Sequence, residues 1–104
     1  MTASARSLEA TTRDLQAERA NALGRASGRL EAALADLAEA EAALAASPGE
    51  RRRVARQEAL AEAAERLWFL VIQREALGLS CHDVIHEVFE VPRSVRAAMG
   101  PRRG

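Results

Sequence analysis

His82-Asp83-Val84-Ile85-His86 places two histidines four residues apart, with a carboxylate directly after the first. On a helix that spacing puts both imidazoles on one face, where they can hold zinc while the acid serves as base to a bound water. Glu90 is the nearest third ligand. Several features weigh against this chemistry. Aspartate is one methylene shorter than the usual glutamate, the helix is brief, and Val84 and Ile85 define its apolar face, which turns both histidines toward solvent. Cys81 stands in what reads as the first turn of the same helix, where the helix dipole lowers a thiol's pKa. A reactive thiol and a small half-buried filler are its competing roles. No serine, histidine and acid triad and no glycine-rich phosphate loop can be assembled from the remaining residues. The expectation is a protein that is not an enzyme and has no resident metal or cofactor.

The elements that carry these residues read as helices throughout. The chain has 104 residues, enough for one domain (1–104) with a modest core. Its hydrophobic fraction of 48% is inflated by alanine, and it holds only three aromatic residues, Trp68, Phe69 and Phe89. Alanine, glutamate, arginine and leucine together favour helix, which predicts an all-α fold.

Charge is balanced overall and uneven along the chain. Residues 1–50 carry five arginines against eight acids, net −3, and residues 51–104 carry ten against seven, net +3. Two helices pairing acid to base explain this better than a nucleic-acid surface, which would raise the charge of the whole domain. The single cysteine excludes an intrachain disulfide and suits a reducing compartment. Met1 to Ala20 lacks the apolar core of a signal peptide, and no apolar run approaches the roughly 20 residues that cross a bilayer. A cytoplasmic protein without membrane association is expected.

Helix one is predicted over about residues 8–46. Leu23, Leu30, Leu37 and Leu44 recur every seven residues, with Ala26, Ala33 and Ala40 three places after the first three. This is a heptad seam whose second position is small, so a facing helix can approach closely. Leu8 and Leu15 are also seven apart, but the eight-residue step to Leu23 slips the seam. Gly24 and Gly28 lie inside the helix, each costing about 1 kcal/mol relative to alanine. With Ala20 and Ala32 they form a small-residue ridge suited to close helix contact, and a kink or a break near Ser27 is the alternative.

Ser47-Pro48-Gly49-Glu50 marks a turn, read as a serine N-cap with proline at the first helical position. Helix two then runs over about 48–77, stopped by Gly78 as a left-handed cap. Short helices are expected at about 81–90, with Ser80 and Asp83 as a capping pair, and at about 92–99, opened by Pro92. Residues 101–104 are expected to be a flexible tail.

The short turn forces helices one and two into a long antiparallel hairpin. The inward face of helix two is predicted to include Val54, Leu60, Ala64, Leu67 and Val71, with Ala61, Trp68 and Ile72 as a second stripe. Folding about Ser47 also brings Asp36, Glu39 and Glu41 toward Arg51, Arg52, Arg53 and Arg56. Leu67 to Ile72 is apolar on every side and so requires cover on more than one face. Helix one, the two short helices with the turns around Leu8 and Leu15, and a second subunit are the candidate covers. The expected assembly is a homodimer whose hairpins pair into a four-helix bundle. Its interaction residues would be Leu23, Gly24, Gly28, Leu30, Leu37, Trp68, Phe69 and Leu70, with a further protein partner at any face left exposed.

Two resemblances bear on function. Gly78-Leu79-Ser80 through Val91-Pro92-Arg93-Ser94-Val95-Arg96 resembles the helix-turn-helix of LuxR-type regulators and of the fourth region of sigma factors. That resemblance implies DNA binding by the 80–99 segment, with Arg93, Ser94 and Arg96 toward the groove or phosphates. It departs from the pattern at Ile85, where the family has a small residue, and at Phe89-Glu90, where it has a turn glycine. The recognition helix would also stop early, at Gly100-Pro101. Over most of its length the chain is similar to a family of small uncharacterised bacterial helical proteins, through "ALGRA", "QREALGL" and "VPRSV". The functional expectation is a non-enzymatic interaction or structural module, with DNA binding as the alternative.

Overall fold

The computed structural model describes residues 3–101, with side chains from Arg6 onward. Four helices follow one another: α1 (Ala3–Ala46), α2 (Glu50–Ala76), α3 (Asp83–Val88) and α4 (Arg93–Ala98), and the described residues contain no strand. The all-α fold is a long helical hairpin of α1 on α2, with α4 packed against α2.

At 1.5 Å per residue, the 44 residues of α1 extend about 66 Å, which accounts for the 68 Å long axis of the molecule. The radius of gyration is 18.3 Å, against about 13 Å for a compact chain of this length. α1 is continuous through Gly24 and Gly28, so the helix does not break near Ser27. A Cβ added at either glycine would meet nothing within 4 Å, so no element of this chain approaches them closely.

The heptad seam forms the core as its spacing predicts. Leu30 and Leu37 are fully buried with Ala26 and Ala33, and Leu23 and Leu34 pack against the edge. From α2 come Ala63, Leu67, Leu70 and Val71, and from the C-terminal segment Ile85, Val91 and Val95. Burying each leucine contributes about 1.5–3 kcal/mol, so a handful of side chains holds the hairpin closed.

The face of α2 differs from the sequence expectation. Val54 and Ile72 are 44% and 41% exposed. They are 18 residues apart, five turns of helix, and so share one line that points away from the core. Ala64, Leu67 and Val71 are buried as expected, Leu60 packs against the core, and Ala63 and Leu70 complete the buried line. The apolar run is therefore not covered all round, because Phe69 and Ile72 remain exposed. Leu8 and Leu15 likewise do not meet the short helices. Every described side chain from Arg6 to Asn21 is exposed.

The turn is built differently as well. The Ser47 N–H donates to the Ala43 carbonyl at 3.0 Å, so Ser47 closes α1 and caps nothing. Gly49, in extended backbone, is the residue flanking α2, and its carbonyl accepts the Arg53 N–H at 2.9 Å. Gly78 adopts φ 83° as expected: Leu79 N–H bonds the Arg74 carbonyl and Gly78 N–H the Glu75 carbonyl, a Schellman ending. The end of α3 repeats this pattern without glycine. Val91 N–H bonds the His86 carbonyl, Glu90 N–H the Glu87 carbonyl, and Glu90 stands at φ 48°.

His82 flanks the start of α3 with no side-chain cap, so Ser80 and Asp83 do not form the capping pair and Cys81 lies outside the helix. Pro92 flanks α4, and its carbonyl accepts the N–H of both Val95 and Arg96. Beyond Pro101 the expected flexible tail lies outside the described residues.

Candidate interaction surface

One histidine of the pair, His82, is engaged by the hairpin. His82 Nε2 lies 3.2 Å from Glu75 Oε1 in the last turns of α2, and Arg74 Nη2 donates to the Cys81 carbonyl at 2.9 Å. Both contacts fasten the incoming loop to the end of α2. His86 is half-buried, and burial together with the Arg96 cation lowers its pKa, against an opposing pull from Asp83. Among the described residues no three of His, Cys, Asp and Glu converge on a point that could hold a metal ion. The structure thus does not assemble His82, His86 and Glu90 into a ligand set. Cys81 is exposed.

Arg93 and Arg96 are exposed on α4, with Ser94 half-buried. Val95 between them is fully buried and anchors α4 to α2. At six residues, α4 is about 9 Å long, so the two arginines are the whole of its outward basic face.

The residues expected to meet a partner separate into two groups. Leu30, Leu37 and Leu70 are buried inside the chain's own core, and Leu23 packs against it. Gly24, Gly28 and Phe69 are exposed, and Trp68 is half-buried. The Trp68 and Phe69 rings lie 5.2 Å apart at 39°, and the Arg66 guanidinium stands 5.9 Å from the Phe69 centroid. Arg66 Nε is held 2.7 Å from Glu62 Oε1. Ala26, Arg29, Arg66 and Phe69 form a shallow groove between α1 and α2. Of the expected pairing between acids of α1 and arginines of α2, Arg56 to Glu41 at 3.8 Å is in place, while Arg53 turns to Glu50 in its own helix at 3.3 Å.

The surface that sequence reasoning missed as a site is the free part of α1. Leu8 and Leu15 are 69% and 54% exposed. They lie 18 residues before Ala26 and Ala33, which are both buried. Eighteen residues are five turns, so the two leucines continue the same line that α2 covers further along. The signal was present in that 18-residue interval and was obscured by attention to the seven-residue one.

No helix among the described residues is long and apolar enough to cross a membrane. No curated protein and no solved structure matches the chain. A family model does match, over residues 3–103, in keeping with the resemblance carried by "ALGRA", "QREALGL" and "VPRSV", and the chain belongs to that family of unknown function, DUF6665.

Proposed function

We propose that this protein is a non-enzymatic interaction module that acts as a homodimer in the cytoplasm. One observation carries the reading: α1 outruns α2 by about 18 residues and presents Leu8 and Leu15, unpartnered, on the line of its own core seam. An isolated helical segment of that length is marginal in water, and its stability comes from packing an apolar stripe. A partner on that stripe supplies the packing. The second exposed apolar feature, Trp68 and Phe69 with Ile72, lies on the flank of α2 and offers a place for a further protein.

Light scattering across the micromolar range tests the reading, with a dimer mass expected and a monomer mass at every concentration counting against it. DNA binding through the 80–99 segment has the exposed Arg93 and Arg96 in its favour. The shortness of α4 leaves it little to insert into a groove. A mobility shift with random duplex at low salt, lost in an Arg93→Ala/Arg96→Ala variant, would raise that alternative above the first, because non-specific binding is electrostatic and strong there.

A further inference from the structure

Resting on the homodimer reading, we infer that two copies join through the free turns of α1, laid antiparallel about a two-fold axis between Thr11 and Thr12, so that each Leu8 packs on the partner's Leu15. Three observations lead there. The first is the line on which the leucines stand. Because Leu8 and Leu15 lie five turns from buried Ala26 and Ala33, they face the side of α1 that α2 occupies once burial begins at Ala22 and Leu23. A helix packed on them extends, in effect, the position of α2.

The second is steric. A parallel partner packed on that face would run alongside α1 into the space already filled by α2. An antiparallel partner runs away from it. With the axis between Thr11 and Thr12, about 16 Å separates the axis from Ala22. Position 20 is then level with Ala3, where the partner's α1 begins, so the two helices overlap along the free turns and neither meets the other's α2.

The third is charge. Glu9 borders one flank of the Leu8 line and Arg13 stands further round the same side of the helix, and with Leu8 and Thr12 they line a shallow open groove. Across an antiparallel two-fold like flanks meet, and each Glu9 comes within one residue of level with the partner's Arg13. Two such attractions arise by symmetry, at longer range than a direct ion pair because Arg13 stands on the outer side of its helix. They set orientation more than affinity. Asp14 lies on the opposite flank and does not face Glu9.

The test uses the full chain with Cys81→Ser, which removes its one native thiol, and adds one cysteine at a time. Thr12→Cys is expected to form an interchain disulfide under mild oxidation. Arg19→Cys is expected to form none, since the axis separates the two copies of position 19 by about 22 Å along the helices. Leu8→Glu with Leu15→Glu is expected to give a monomer mass by light scattering and to keep the melting of the hairpin, whose core lies elsewhere. A disulfide at position 19 would mean a parallel pair and overturn the inference. A dimer mass with no disulfide at position 12, or a dimer that survives the two glutamates, would place the contact elsewhere, overturning this inference and leaving the homodimer reading intact. A monomer mass for the unaltered chain would end both.

Discussion

The Arg74 guanidinium reaches seven residues forward to donate a 2.9 Å hydrogen bond to the Cys81 carbonyl. Beside it Glu75 holds His82 at 3.2 Å. These two contacts fasten the loop after α2, and the loop in turn sets where Ile85 and Val95 enter the core. Arg74→Ala is expected to cost about 1 kcal/mol, the net worth of one such bond at a partly exposed site. Hydrogen exchange should locate the effect: amides from Leu79 to Val91 should exchange faster, while those around Leu30 and Leu37 keep their protection. Uniform loss across the hairpin would mean that the contact acts on the whole fold.

Glu90 occupies the left-handed position that glycine normally takes at a Schellman ending, at φ 48°. A side chain there costs roughly 1–2 kcal/mol. Part of that is recovered when glycine loosens the unfolded chain, so Glu90→Gly is expected to stabilise by about 0.5–1 kcal/mol. The same reasoning with opposite sign applies to Gly78, at φ 83° with open space around it. Gly78→Ala should destabilise by about 1 kcal/mol through backbone strain alone. Urea midpoints of the two variants should move in opposite directions.

Gly24 and Gly28 have open space where a Cβ would stand. Each alanine substitution is then expected to stabilise α1 by about 1 kcal/mol, and the pair to raise the melting temperature by several degrees. Their ridge lies away from the Leu8 line, so dimer mass should be unchanged. If the double variant lost its dimer, close packing at the glycines would be the basis of assembly, against the antiparallel contact proposed above.

Leu30 and Leu37 were legible because a seven-residue leucine period with alanine between fixes both the helix and its buried face. Gly78 was legible because a glycine after the last apolar turn has one common use. The turn was misread because Ser47 fits the end of one helix as well as the start of the next, and only the Ala43 carbonyl decides between them. The face of α2 was legible at Ala64, Leu67 and Val71 and misread at Val54 and Ile72, because Leu67 to Ile72, apolar at six consecutive positions, has no phase of its own. Val54 supplied a false one. The partner of His82 was not legible, because Glu75 is distant from its motif and becomes adjacent only when the loop after α2 folds back. The free turns of α1 followed from the unequal lengths expected of the two helices, whereas the place of Leu8 and Leu15 on the seam line, 18 residues before Ala26 and Ala33, was hidden by the eight-residue step to Leu23.

His86 gives the fold a dependence on pH whose sign follows from its surroundings. Burial first, then the Arg96 cation, lower its pKa below the ordinary value, and Asp83 does not fully offset them. In the unfolded chain the imidazole titrates near its usual value of about 6.5. Between the folded and unfolded values the unfolded state therefore binds more protons, and stability rises with pH across that interval. The contribution is fully present above about pH 6.5 and is lost as the pH falls through the lowered value. Urea midpoints should accordingly drop on going from neutral to mildly acidic buffer, and His86→Gln should flatten the drop. Arg96→Gln, which removes the larger of the two electrostatic causes beside burial, the other being His82, should flatten it in part and move the His86 resonance titration upward. An equally steep acid response in His86→Gln would assign it to other groups.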